Sequence, residues 1–174
     1  MIIPDHIPKY NRGITSVETF NVDTNNVWRI ISSESNLELF HPFCELNPIE
    51  KWPGKGSIDE VHYLSGWIFE REFLAWHEGE GYDLIIGRKY GRKSYVSWRI
   101  IPSRHHSSCK VSITIYPFIF NTGSKFIEAI PFLLFIKPKL KSYLQSVLGG
   151  LKWYTINQVP IPKNYFGKHS WFSK

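Results

Sequence analysis

Polar and apolar residues alternate through much of the stretch between residues 44 and 120, and the pattern changes to a helical period after residue 138. Val96, Trp98 and Ile100 fall on one side of an extended chain, with Tyr95, Ser97 and Arg99 on the other. Val111, Ile113 and Ile115 likewise oppose Lys110, Ser112 and Thr114. A period of two predicts strands with one covered and one wet face. The same reading gives strands over residues 44–52, 57–64, 67–77, 82–90, 94–102 and 109–120. Gly54/Gly56, Ser65-Gly66, Gly79/Gly81, Gly91 and the polar run 103–108 supply the turns between them. Connections this short force antiparallel neighbours, and a meander follows.

Upstream, residues 17–22 alternate weakly and predict a further strand. Asp23 is a good N-cap for a helix over residues 24–32, whose buried stripe is Val27, Trp28, Ile30 and Ile31. Ser35 or Asn36 caps a second, short helix over 37–40, which His41-Pro42 ends. Downstream, Pro138 opens a long helix running to about residue 158. Leu140, Leu144, Val147, Leu151 and Tyr154 form one stripe at helical spacing, while Lys137, Lys141, Gln145 and Lys152 lie away from it. Gly149-Gly150 inside that helix costs about 1 kcal/mol per residue relative to alanine. Close approach to the sheet, or room for a ligand beside the backbone, would compensate. Pro160 and Pro162 end the helix, and a tail from about residue 160 is expected over the surface through Tyr165, Phe166, Trp171 and Phe172.

Composition sharpens this outline. The 174 residues are ordinary for one domain spanning 1–174. Seven Trp, nine Tyr and twelve Phe are not ordinary, and imply an aromatic core or a cavity lined with rings. Residues 121–174 hold eight Lys against Glu128 alone, so the +6 net charge sits in the C-terminal third. That bias fits a solvated lysine face or peripheral contact with an anionic membrane surface; nucleic acid is not expected as a partner. Cys44 and Cys109 are far apart and make no disulfide framework or metal spacing. The start of the chain lacks a signal-peptide pattern, and the apolar run 130–136 is far shorter than a bilayer span. A reduced, cytoplasmic protein is expected.

Three stretches carry a resemblance. They are residues 17–33 (Val-Glu-Thr-Phe-Asn-Val-Asp-Thr-Asn-Asn-Val-Trp-Arg-Ile-Ile-Ser-Ser), the meander 58–120, and residues 143–154 (Tyr-Leu-Gln-Ser-Val-Leu-Gly-Gly-Leu-Lys-Trp-Tyr). Strand, two short helices, antiparallel meander and long C-terminal helix resemble the START-like or SRPBCC superfamily, the helix-grip fold of birch-pollen-allergen-like proteins, lipid-transfer domains and polyketide cyclases. The resemblance implies an α+β fold in which a curved antiparallel sheet wraps the C-terminal helix, with Trp28 packed against that helix. It also implies a cavity between sheet and helix for a lipophilic small molecule. The catalytic members share no single motif, so no catalytic residue carries over. The tail after Pro160, and Pro131 and Pro138 before the helix, depart from the pattern.

Physics then selects candidates. Trp28, Phe40, His41, His62, Phe69, Arg71, Phe73, Tyr82, Trp98, Tyr143, Leu144 and Val147 are the expected ligand-lining residues. If Trp67, Phe69, Phe73 and Ala75 form the covered face of their strand, Arg71 shares it, with Glu70 and Glu72 outside. A buried guanidinium needs a carboxylate or an anionic ligand head group. Ile58, Glu60, His62 and Leu64 share a face, which offers Glu60 and His62 as partners for Arg71. His41, His62 and Glu60 are the candidate acids or bases if a cyclase- or dehydratase-like reaction occurs. His105-His106 reads as surface, and 88–93 as a basic hairpin tip. No cofactor or metal is expected, since no His, Cys, Asp or Glu cluster has ligand spacing. Residues 126–135 read as a buried lid or as a membrane-docking element. The leading function is binding or transport of a lipophilic molecule; the alternatives are an enzyme of polyketide cyclase type and an interaction module using the basic C-terminal third. Oligomeric state is left open.

Overall fold

A computed structural model describes residues 12–104, 107–118 and 132–174. His105-His106, most of the expected 126–135 element and the first eleven residues lie outside them. The elements in chain order are β1 (Ile14–Phe20), α1 (Thr24–Ile31), α2 (Leu37–Phe40), β2 (Cys44–Leu46), β3 (Ile49–Lys51), β4 (Ile58–Tyr63), β5 (Ile68–His77), β6 (Gly81–Gly87), β7 (Lys93–Pro102) and β8 (Cys109–Tyr116). A π-helical stretch, Phe132–Ile136, then leads into α3 (Lys137–Asn157). The strands form one eight-stranded antiparallel sheet in the order β1-β8-β7-β6-β5-β4-β2, with β3 also on β4. The α+β helix-grip architecture expected from the sequence is present.

Local chemistry explains the joints. Asp23 caps α1 by accepting a hydrogen bond from the Asn26 N–H at 2.7 Å. Neither Ser35 nor Asn36 caps α2. Asn36 turns back instead, its amide donating to the carbonyls of Ile31 and Ser33 at 2.7 and 2.9 Å. The first N–H of α2 donates to the side-chain oxygen of Asn47 at 3.2 Å, so a residue beyond the helix does the capping. Asn47 is fully buried, and with Pro48 it splits the expected 44–52 strand in two. Its amide donates to the Glu60 carbonyl at 2.8 Å, and its N–H to the Glu38 carboxylate at 2.7 Å.

Alternation in β7 and β8 places Val96, Trp98, Ile100, Val111 and Ile113 in the core. The outer face is not uniformly wet, contrary to expectation. Tyr95 and Tyr116 are buried there, packed with Leu74 and Ile85, and Arg99 donates to the buried Asp83 carboxylate at 2.7 Å. The register of β5 shifts between Phe73 and Ala75, which brings Trp76 onto the inner face opposite Tyr82.

α3 lies across the hollow of the sheet in two dissimilar halves. Its N-terminal half turns Leu140, Tyr143, Leu144 and Val147 inward. Its C-terminal half packs tightly. A Cβ on Gly150 would run into the Phe40 carbonyl oxygen, and one on Gly149 would stand 2.8 Å from the Phe166 ring. Close packing, rather than ligand space, therefore accounts for the glycine pair. Trp28 makes ring contacts on the sheet, with Trp76 at 5.3 Å and Tyr82 at 6.4 Å, and shares one core cluster with Leu148 and Leu151 of α3. The tail does not only run over the surface. Tyr165 and Phe166 are half exposed beside α3, whereas Phe172 is buried and Ile161 is 3% exposed.

Among the described residues no helix is long and apolar enough to cross a membrane. Cys44 and Cys109 are free and buried.

Candidate functional site

A cavity of about 510 Å³ lies between the inner face of the sheet and the N-terminal half of α3. Binding pockets for small molecules commonly measure about 300–1,000 Å³. Its walls are mostly aliphatic and aromatic: Val61, Phe69, Leu84, Ile86, Val96, Trp98, Ile113 and Ile115 from the strands, and Ile136, Leu140, Leu144 and Val147 from the helical side. Trp171 and Phe172 of the tail add to the lining. Trp67, Arg88 and Arg92 line it too and are exposed, which puts them on the solvent side.

The candidate residues divide into three groups. His41, Phe69, Arg71, Trp98, Tyr143, Leu144 and Val147 line the cavity. Trp28, Phe40, Phe73 and Tyr82 do not; they belong to the filled part of the core. Glu60 and His62 are not on the inner face at all. Sheet burial alternates along β4 with Asp59, Val61 and Tyr63 inward, so the assigned sidedness is off by one residue. Apolar residues on both faces, Ile58 and Leu64 against Val61 and Tyr63, made that strand ambiguous. His62 and Glu60 pair with each other at 2.8 Å on the outer side.

Arg71 does point inward, 3% exposed. Its partner is Asp59, directly opposite in the β4–β5 register, and not Glu60 or His62. The Arg71 Nε donates to Asp59 Oδ1 at 2.7 Å and Nη2 donates to Oδ2 at 2.5 Å. Burial alone would pull the guanidinium pKa down, but the charge and hydrogen bonds of Asp59 reverse this and leave it raised. The pair is bidentate and neutral as a unit, and losing either partner would strand a buried charge. The Arg71 guanidinium also stands 5.2 Å from the centre of the Phe73 ring.

The remaining polar corner is built by His41, Tyr143 and Tyr63. His41 ends α2, where the chain turns into β2, and it is 2% exposed. The Phe43 N–H donates to His41 Nδ1 at 3.2 Å, and His41 Nε2 lies 2.8 Å from the Tyr143 hydroxyl. The Tyr143 and Tyr63 hydroxyls are 3.0 Å apart. Burial, with the nearby Arg71 charge, pulls the His41 pKa down to about 3. Burial pushes both phenols above their usual range, so the three groups are neutral near pH 7. His41 is thus a fixed neutral hydrogen-bonding group, without the near-neutral pKa that suits a general acid or base. Phe172 stacks on Tyr63 and packs on Tyr143, both at 4.5 Å.

Sequence reasoning missed Tyr63, Asp59 and the tail aromatics as members of the site. Tyr63 and Asp59 share the parity of Val61, and the acid–base pairing across adjacent strands was a readable signal. Nothing local marks Phe172 as an inward residue. No group of His, Cys, Asp and Glu among the described residues is placed to hold a metal ion.

Neither a protein-family model nor a curated protein sequence matches the chain. Solved structures do. A START superfamily protein from Mycobacterium smegmatis is 10% identical, with a TM-score of 0.64 over 84% of this chain and 99% of that one. A norcoclaurine synthase point mutant from Thalictrum flavum, in complex with a transition-state analogue, is 13% identical, with a TM-score of 0.58 over 84% and 95%. DynU16, a protein of the dynemicin biosynthetic locus, is 12% identical, with a TM-score of 0.60 over 85% of this chain; the match spans only 48% of DynU16. Sheet order, the placement of α1 and α2, the spanning helix and these likenesses agree: the chain has the START-like, or SRPBCC, helix-grip fold.

Proposed function

We propose that this chain binds an uncharged, lipophilic small molecule in the hollow between the sheet and α3. The observation that carries the reading is the cavity itself, about 510 Å³ with walls that are mostly aliphatic and aromatic. Burying an apolar guest there gains roughly 25 cal/mol for each Å² removed from water. Arg71 does not ask for an anionic head group, because Asp59 already engages it through two hydrogen bonds. The norcoclaurine synthase structure, which holds a transition-state analogue, supports the idea that this fold can accommodate a small molecule.

Titration with N-phenyl-1-naphthylamine, a neutral fluorophore that brightens in apolar surroundings, tests the reading. Saturable one-to-one binding is expected, and Val147→Trp, which fills the hollow from α3, should remove it while the circular dichroism is retained. Unchanged emission with the native chain, or undiminished binding by the filled variant, would overturn it.

Peripheral membrane contact is a second reading with its own observation. Leu134 and Phe135 are 63% and 64% exposed, immediately before the exposed Lys137 and Lys139. Apolar side chains beside lysines suit an anionic lipid surface. Co-sedimentation with phosphatidylserine vesicles but not phosphatidylcholine vesicles is the expected result, and equal recovery with both would remove this reading.

A further inference from the structure

The polar corner of the cavity sets a requirement that can be obtained by counting hydrogens. A backbone N–H can only donate, so the contact from Phe43 N to His41 Nδ1 makes Nδ1 the bare nitrogen of the ring. A neutral imidazole then carries its hydrogen on Nε2, and the 2.8 Å contact there has the ring donating and the Tyr143 hydroxyl oxygen accepting. Two phenolic hydrogens remain for Tyr143 and Tyr63, and their mutual contact at 3.0 Å uses one. The other has no acceptor among the described residues, although both side chains line the cavity.

Direction along the relay decides which hydrogen is left. With Nε2–H feeding Tyr143, a head-to-tail run has Tyr143 donating to Tyr63, and each bond polarises the next. The opposite arrangement makes Tyr143 accept twice and breaks that alignment. The hydrogen left over is therefore that of Tyr63, and a buried donor without a partner costs about 1–3 kcal/mol. We propose that the ligand of this cavity carries an uncharged oxygen acceptor, a ketone, quinone or ester carbonyl, and that the Tyr63 hydroxyl donates to it at the end of a relay running Phe43 N–H, His41, Tyr143, Tyr63. This rests on the reading of the cavity as a ligand site and adds the chemical class of the ligand. Tyr63 would bind the carbonyl directly; His41 and Tyr143 are positioning residues that set the direction of its hydrogen.

A matched pair of probes tests it: 2-acetylnaphthalene and 2-isopropenylnaphthalene, in which a C=CH₂ group replaces the C=O. The ketone should bind the native chain about tenfold more tightly than the alkene, the worth of one hydrogen bond of typical strength. Tyr63→Phe should bring that ratio close to one. Infrared difference spectra with a ¹³C-labelled carbonyl give a readout that needs no variant, since the stretch should fall below its value in hexane on binding. A ratio near one in the native chain, a ratio preserved in Tyr63→Phe, or a hexane-like stretch would each overturn the proposal while leaving the cavity reading intact. Failure of both probes to bind would remove the cavity reading and this inference with it.

Discussion

The interior of this molecule has two halves built from the same kinds of residue, and only one of them is full. Around α1, the rings of Trp28, Trp52, Phe73, Trp76 and Tyr82 meet edge to face, tilted or stacked, with centroids 5.0 to 6.4 Å apart. Under the first half of α3, Val96, Ile113, Ile115, Leu144 and Val147 face one another across empty space. What separates the halves is the reach of the side chains from α1 and α2. α1 sends Trp28 down onto the sheet, and α2 sends Phe40 against Trp98 at 6.1 Å. The β-branched and leucine side chains opposite the start of α3 are too short to meet. Close packing lies at one end, then, and the hollow at the other.

Truncating the same residue type in each half breaks the comparison most forcefully. Ile31 and Ile113 are equally buried, but only Ile113 lines the cavity. Ile31→Ala should destabilise by about 4 kcal/mol and Ile113→Ala by about 2 kcal/mol, the upper part and the lower end of the range for such changes, because Ile113 already lacks neighbours on one side. Urea unfolding measures both; equal losses would mean that the hollow is packed in solution.

Acid should act on the hollow half through His41. The unfolded chain protonates this histidine near pH 6.5, whereas the folded chain resists until about pH 3. The folded form therefore binds fewer protons across that window, and its stability falls as the pH falls through it. The slope due to this one group approaches roughly 1.4 kcal/mol per pH unit. His41→Asn should flatten the stability profile between pH 6.5 and 4 by that slope, and an unchanged profile would show that His41 is not held neutral.

The smallest effect is expected outside both halves. His62 pairs with Glu60 on the outer face of β4, each about one-third exposed or less. His62→Ala should change stability by less than about 1 kcal/mol and leave fluorophore binding as it was. A clear loss of binding would return His62 to the site.

Much of the architecture is legible in the sequence. Asp23 marked the start of α1, the two-residue period marked β7 and β8, and the helical stripe from Leu140 to Leu151 marked α3. The site was legible only in part, and for physical reasons. Sidedness along β4 had apolar residues on both faces, so parity could not choose between Glu60 and Asp59. The register shift after Phe73 is a tertiary event that moves Trp76 inward with no local signal. The capping role of Asn47 depends on a contact across ten positions, beyond the reach of a local motif. Whether rings fill a space or line it depends on where neighbouring elements stop, and composition reports only that the rings exist.

Methyl-resolved NMR during titration with N-phenyl-1-naphthylamine tests the central claim most directly. The methyl signals of Val96, Ile113, Ile115, Leu144 and Val147 should shift together and saturate at one equivalent, while those of Val27, Ile31 and Leu151 in the filled half stay close to their starting positions. Shifts confined to exposed methyls such as those of Ile156 and Val159, or no shifts at all, would contradict the account.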